Sequence, residues 1–174
     1  MAVKTPVDYT GGLYFITCTC QDRLSLFEIT NSYNAVYKWF DYLKLKGHFV
    51  KGYVVMANHL HVLIDFGKSI KSVNTIISNG KRFMTYTIIE RLKEHNKTHV
   101  LHQLRKAVYV SDKDKGKIHR VFERSFDGKE ITSQHFFMQK LSYIHNNPCS
   151  GEWKLAENPV EYVNSSARFY LTDE

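Results

Sequence analysis

The sequence predicts an α+β fold: a small, mostly antiparallel sheet with helices packed on one face. Three observations carry this. Short β-branched and aromatic runs alternate with segments of helical periodicity. Their order reads strand, helix, two strands, helix, then a further strand and helix. The two middle strands are separated by only a short break, so residues 48 to 66 read as a hairpin. At 174 residues with 43% apolar content, the chain has material for one core and one domain, residues 1–174.

Leu13 to Thr19 (LYFITCT) follows Gly11-Gly12 and reads as the first strand. Asn31 to Lys46 places Val36, Phe40 and Leu43 on one helical face, with Thr30 or Asn31 as cap and Gly47 as stop. His48 to Ala57 is a Val-rich second strand, Asn58 marks a break, and His59 to Phe66 (HLHVLIDF) is a third strand. Ile70 to Glu94 reads as a long helix carrying Val73, Ile76, Ile77, Phe83, Ile88, Ile89 and Leu92, with Gly80 as a point of interruption. In residues 95 to 132 the polar run Ser111 to Lys117 reads as a loop between two short strands, and Arg124 to Glu130 as a turn through Asp127-Gly128. Ser133 to Asn147 is a helix with Phe137, Leu141 and Ile144 on one face, stopped by Pro148. The tail, Ser150 to Glu174, holds Trp153 and an SSARFY segment of short-helix character. A ferredoxin-like sandwich suits this order best.

The formal charge of +7 favours a polyanionic partner, because Lys and Arg that neutralise phosphates release counterions. Eleven Tyr and eleven Phe suit stacking on unpaired bases, although most Phe belong in the core. Three cysteines, Cys18, Cys20 and Cys149, form no spaced framework. This argues against a disulfide scaffold and for a reducing compartment. With no signal peptide and no apolar run beyond about five residues, neither secretion nor a membrane span is expected, and the expected location is cytoplasmic.

Two segments carry chemistry. His59-Leu60-His61 lies in an apolar strand, whose period of two sends both imidazoles to one face. A rigid imidazole pair can hold one divalent ion. From spacing alone a hydrogen-bonded or half-exposed pair on a sheet is the commoner case, and a third ligand is needed. Tyr143 sits on the Ser133–Asn147 helix, about 200° around from Leu141, so it is free to leave the core stripe. Asn147 follows on the same side one turn later, with Gln139 and His135 on that side in the other direction. Lys140 is a candidate phosphate contact. A free phenol is a poor nucleophile near neutrality, its pKa being about 10. A cation that polarises a phosphodiester and holds it in line supplies what the phenol lacks. The alternative for Tyr143 is an ordinary half-buried tyrosine.

Taken together, VVMANHLHVLI, YIHNNP, SSARFY and the opening strand YFITCTCQDR resemble the REP-associated tyrosine transposases, relatives of the smallest single-tyrosine HUH insertion-sequence transposases. The resemblance runs from about Tyr14 to Tyr170. It implies a ferredoxin-like domain, with Mg²⁺ or Mn²⁺ on His59 and His61, Tyr143 as nucleophile and Asn147 as a polar third ligand. The implied reaction makes a 5′-phosphotyrosine and frees a 3′-OH on single-stranded DNA bearing imperfect hairpins. Lys81, Arg82, Arg105, Lys106 and Lys140 are the candidate DNA contacts, each otherwise a solvated cation. Residues 95 to 120 are longer than in the shortest relatives. Monomer and homodimer both stay open. Three rivals are a non-catalytic hairpin binder, a replication-type nicking enzyme and a small-molecule sensor on the same fold. The sensor accounts for neither the charge nor the triad.

Overall fold

Strand β1, Gly12–Thr19, is one of the two inner strands of the sheet, paired along both its edges. Strands β2, His48–Val55, and β3, His59–Phe66, form the expected hairpin, and the sheet order is β2-β3-β1 followed by β4, Asp127–Glu130. All pairings are antiparallel. The structure, a computed structural model, describes residues 11–67, 71–114, 116–151 and 154–172. The expected helix start at Ile70 and the expected Trp153 lie outside them.

One face of the sheet is covered by α2, Tyr33–Leu45, and α3, Val73–Glu94, with the single turn α1, Leu26–Ile29, and α4, Thr98–Lys106, at their side. Tyr14, Ile16, Cys18, Leu60, Val62 and Ile64 meet Val36, Trp39, Leu43, Ile77, Met84 and Ile88 there. Gly80 does not interrupt α3. A Cβ at this position would fall 2.4 Å from the Trp39 indole, so glycine is what lets α3 close against α2. Phe83, expected in the buried stripe, is exposed, and Gly80 and Met84 take its place.

The helices are not confined to that face. Helix α6, Gln134–Asn146, lies on the other, where Phe15, Val54, Met56 and Leu63 receive Leu141 and Ile144. The reason is the apolar run of β3: a strand hydrophobic on both sides needs cover on both. A β-bulge at Val50/Gly52 in β2 brings Gly52 beneath α6, with its missing side chain directed at Leu141.

Residues 95–132 depart most from expectation. Instead of two short strands they hold α4 and the single turn α5, Val110–Lys113. Val100, Leu101 and Leu104 are spaced for a helix and enter the main core. The Asp127-Gly128 segment, expected as a turn, is strand β4, with Thr17 opposite Asp127 and Tyr14 opposite Glu130. The backbone groups along the free edge of β1 need partners, and their pairing overrides local turn preference. Residues 164–166 close part of the outer edge of β2: Val55 donates to the Asn164 carbonyl at 2.8 Å, and Ser166 to that of Tyr53 at 3.0 Å. The SSARFY segment continues as α7, Ala167–Leu171, the short helix expected there.

Candidate active site

The second face of the sheet carries the site. The register sets Thr17 opposite His61 and Thr19 opposite His59. Phe15, Thr17, His59, His61 and Leu63 share the parity that faces α6. The two imidazoles lie edge to face with ring centroids 4.6 Å apart. His61 is 6% exposed and is held by three neighbours. Its Nδ1 hydrogen-bonds the Thr17 hydroxyl at 2.8 Å, its ring stacks on Phe15 at 5.4 Å and 21°, and its Nε2 faces the phenol of Tyr143.

Helix α6 begins at Ser133, whose hydroxyl accepts the Phe136 N–H at 3.2 Å and caps the helix. With Leu141 and Ile144 anchored on the sheet, Tyr143 emerges at the rim. It is 48% exposed, and its Oη lies 3.5 Å from His61 Nε2. Asn147, immediately after the helix, lies close enough to the His59 side chain to influence its titration. The sequence-expected quartet His59, His61, Tyr143 and Asn147 therefore meets within one chain.

Electrostatics keep the pair uncharged. Burial pushes the His61 pKa down to about 3, with His59 and Lys140 adding to the effect. Burial also pushes His59 down to about 4, opposed by the neighbouring Asn147 side chain and aided by the Arg23 cation. Both rings are neutral near pH 7, the state in which imidazole binds a metal. The carboxamide of Asn147 adds an oxygen donor. Among the described residues there is no group of three or more His, Cys, Asp or Glu side chains that could hold an ion. The candidate ligand set, two imidazoles and a carboxamide, is thus neutral and incomplete, leaving room for oxygens from elsewhere.

Lys140 is the one DNA-contact candidate at this site. Its ammonium stands 4.9 Å from the Phe15 ring centre, 5.4 Å from Phe136 and 5.6 Å from Tyr143. The others lie on α3 and α4, helices of the opposite layer. Lys81 points inward, donating to the carbonyls of Glu123 at 2.5 Å and Ser125 at 3.3 Å. Arg82 hydrogen-bonds Asn79, Arg105 hydrogen-bonds His119, and Lys106 is exposed. His135, eight residues before Tyr143, is roughly 12 Å away along the helix axis.

Sequence reasoning passed over four residues that the structure brings to the site: Phe15, Thr17, Arg23 and Asn58. Thr17 was visible as a polar residue in an apolar strand, and Asn58 as the neighbour of His59. Neither could be placed without the register. Arg23 gave no signal beyond its charge.

No family model and no curated protein matches the chain. Among solved structures, one of a REP-associated tyrosine transposase bound to a REP hairpin aligns with TM-score 0.67 at 15% identity, covering 97% of this chain and 84% of that one. A transposase-like protein from Deinococcus radiodurans aligns at TM-score 0.40 and 15% identity over 82% of this chain and 95% of its own. No helix among the described residues is long and apolar enough to cross a membrane. The four-stranded antiparallel sheet, its helical layers and nearly the full length of the chain follow the first of these structures: the fold is that of a REP-associated tyrosine transposase.

Proposed function

We propose that the protein is a metal-dependent transposase-type strand transferase that cuts and rejoins single-stranded DNA bearing hairpins, with Tyr143 as nucleophile. The observation that carries this reading is the convergence of a rim tyrosine, a neutral imidazole pair and a carboxamide, with Tyr143 Oη 3.5 Å from His61 Nε2. An ordinary surface tyrosine has no need of such neighbours.

The residues present suit a divalent cation. His59, His61 and Asn147 would hold it, and Mg²⁺ and Mn²⁺ are the expected ions. Bound there, the ion would polarise a phosphate oxygen and neutralise charge in the transition state. Because the ligands are neutral, its charge would stay undiminished for the phosphate.

The chain's own groups do the rest. Lys140 supplies a fixed cation beside the nucleophile, shielded by three aromatic rings. Phe15 and Thr17 fix the His61 ring, Phe15 on its face and Thr17 at the Nδ1 edge. The Tyr143 phenol gives its proton to water as its oxygen bonds to phosphorus. The bond from phosphorus to the 3′-oxygen breaks, and that oxygen takes a proton to become a 3′-OH. One phosphodiester is exchanged for another, so bond energy is kept for rejoining. The hairpin preference is carried over from the structural neighbour bound to a REP hairpin and fits the charge of +7.

The test is covalent capture. Labelled single-stranded hairpin DNA with Mn²⁺ should yield a protein–DNA adduct on a denaturing gel. The adduct should vanish with chelator and in Tyr143→Phe, a change at a half-exposed site that leaves stability within about 0.5 kcal/mol. Hairpin binding by the wild type with no adduct across a broad hairpin set would sink the catalytic reading and leave a DNA-binding protein on this scaffold.

A further inference from the structure

Asn58 sits in the connection between β2 and β3 yet is 4% exposed. Polar residues of such turns usually face water. Both ends of its carboxamide are engaged. Nδ2 donates to the Arg23 carbonyl at 3.1 Å, and Oδ1 stands 2.6 Å from His59 Nδ1. Its backbone carbonyl also accepts from the Cys20 N–H at 2.8 Å.

This arrangement settles a question that a histidine ring alone leaves open. A carboxamide can be turned either way, since its oxygen and nitrogen are alike in shape. Here the Arg23 carbonyl can only accept, which fixes the nitrogen end on it and directs the oxygen end to His59. A carboxamide oxygen can only accept in turn, so His59 Nδ1 carries the hydrogen. A neutral imidazole has one such hydrogen. Nε2 is therefore left with a lone pair.

The Arg23 carbonyl is itself held deliberately. Asp22 and Arg23 have φ of 51° and 53°, two consecutive non-glycine residues in the left-handed region. Such backbone costs about 1 kcal/mol or more per residue and persists only where its surroundings impose it. The surroundings are the Gln21 N–H on the Val121 carbonyl at 2.8 Å and the Asp22 N–H on a Glu123 carboxylate oxygen at 3.3 Å. Thr17, the equivalent partner of His61, makes a contrast: a hydroxyl donates or accepts as required and selects no tautomer.

We infer that Asn58, clamped by the Arg23 carbonyl, is a positioning residue that locks His59 in its Nδ1–H tautomer and so presents Nε2 as a permanent lone-pair donor to the divalent cation. The inference rests on the reading of His59 as a metal ligand. In an unclamped ring the two tautomers interconvert, and binding an ion through Nε2 first requires the right one to be populated.

The experiment reads tautomer and metal separately. Long-range ¹H–¹⁵N spectra of the metal-free protein at pH 8 report which His59 nitrogen is protonated. Titration with Mn²⁺, followed by electron paramagnetic resonance with and without hairpin DNA, reports affinity. Wild type should show the Nδ1–H pattern alone and bind Mn²⁺. Asn58→Ala should show mixed tautomers and bind Mn²⁺ roughly 10- to 100-fold more weakly. Asn58→Asp keeps an acceptor for Nδ1–H but loses the donor to Arg23. It should keep the tautomer and most of the affinity even where its melting temperature falls, a split that a merely structural role would not give. An Nε2–H pattern in wild type overturns the inference. So does an Asn58→Ala protein with unchanged tautomer and affinity, or, should that variant not fold, a folded Asn58→Asp protein that has lost the Nδ1–H form. A wild type with the Nδ1–H pattern that binds no Mn²⁺ in either titration overturns the metal reading instead, and the inference with it.

Discussion

Replacing Gly52 by alanine tests whether core packing sets the position of Tyr143, the proposed nucleophile. The added Cβ would lie 2.6 Å from Leu141 Cδ1, about 0.8 Å short of the 3.4 Å at which ordinary contact begins. It would also touch Leu63 Cδ1 at 3.6 Å and Ser166 Oγ at 3.7 Å, and the backbone fixes the methyl there, so Leu141 or the helix must give. Leu141 is buried on the same helix as Tyr143, two residues away. If α6 yields as a body, the phenol moves away from His61 by a comparable distance. A misplacement near 1 Å can cost about 100-fold in rate. Overpacking of this kind costs about 1–3 kcal/mol, at about 2–4 °C of melting temperature per kcal/mol for a chain of this size. The assays are thermal unfolding and single-turnover adduct formation on hairpin DNA. Leu141→Ala removes the colliding atom, so the double variant should recover adduct rate relative to Gly52→Ala, a coupling visible in a double-mutant cycle. Adduct formation at the wild-type rate in Gly52→Ala, with unchanged melting, would refute the reasoning. Leu141 would then swing aside without moving the helix.

Lysines of the two layers should separate. Lys140→Met is expected to weaken binding of single-stranded DNA and to flatten the salt dependence by roughly one unit of slope, measured by titration at several salt concentrations. Lys81→Met is expected to leave that slope unchanged and to lower the melting temperature, because its ammonium serves the Glu123 and Ser125 carbonyls. Acid should destabilise the fold through buried histidines. His59 and His61 are depressed to about 4 and about 3, and His48 is also lowered by burial. In the unfolded chain they take up protons below about 6.5, while the folded state does not, so stability falls as pH drops from about 6.5 towards 4. Denaturant unfolding across that range should show the loss, and His61→Gln should make it shallower. An equal slope in His61→Gln would show that the ring is not held neutral.

The sheet was legible where one strand's side chains decide its environment by themselves. In β3 the run HLHVLIDF declares a central strand, and its period of two puts both histidines on one face. What the same run also implies is a second cover: Leu60, Val62 and Ile64 need one partner and Leu63 another. That consequence alone assigns a helix such as α6 to the far face. β4 was illegible for a different reason. Asp-Gly-Lys-Glu has the composition of a turn, and it is a strand only because β1 leaves an edge to pair. The same holds for α4, where Val100, Leu101 and Leu104 are too few apolar positions among charged neighbours to outweigh the loop signals around them.

The candidate site was legible in the side chains that meet there and not in their supports. Tyr143, His59, His61 and Asn147 belong to residue types and spacings with chemistry of their own, and the resemblance to a known family joined the segments. Charge alone could not sort Lys140 from Lys81, Arg82, Arg105 and Lys106, since nothing in a count of cations says which layer a helix will join. Asn58 and Thr17 act through partners that are distant or ambiguous in sequence: Asn58 through Arg23, and Thr17 through a pairing 44 positions away. Yet these supports decide what the reactive groups can do. A His-x-His pair whose tautomers are free is a pair of weak bases on a sheet. The same pair, buried to stay neutral, with Asn58 against one ring and Phe15 and Thr17 bracing the other, is what the proposed ligand set facing Tyr143 requires. On the proposed reading, the difference between a surface ornament and a reaction centre thus rests on residues that carry no chemistry themselves.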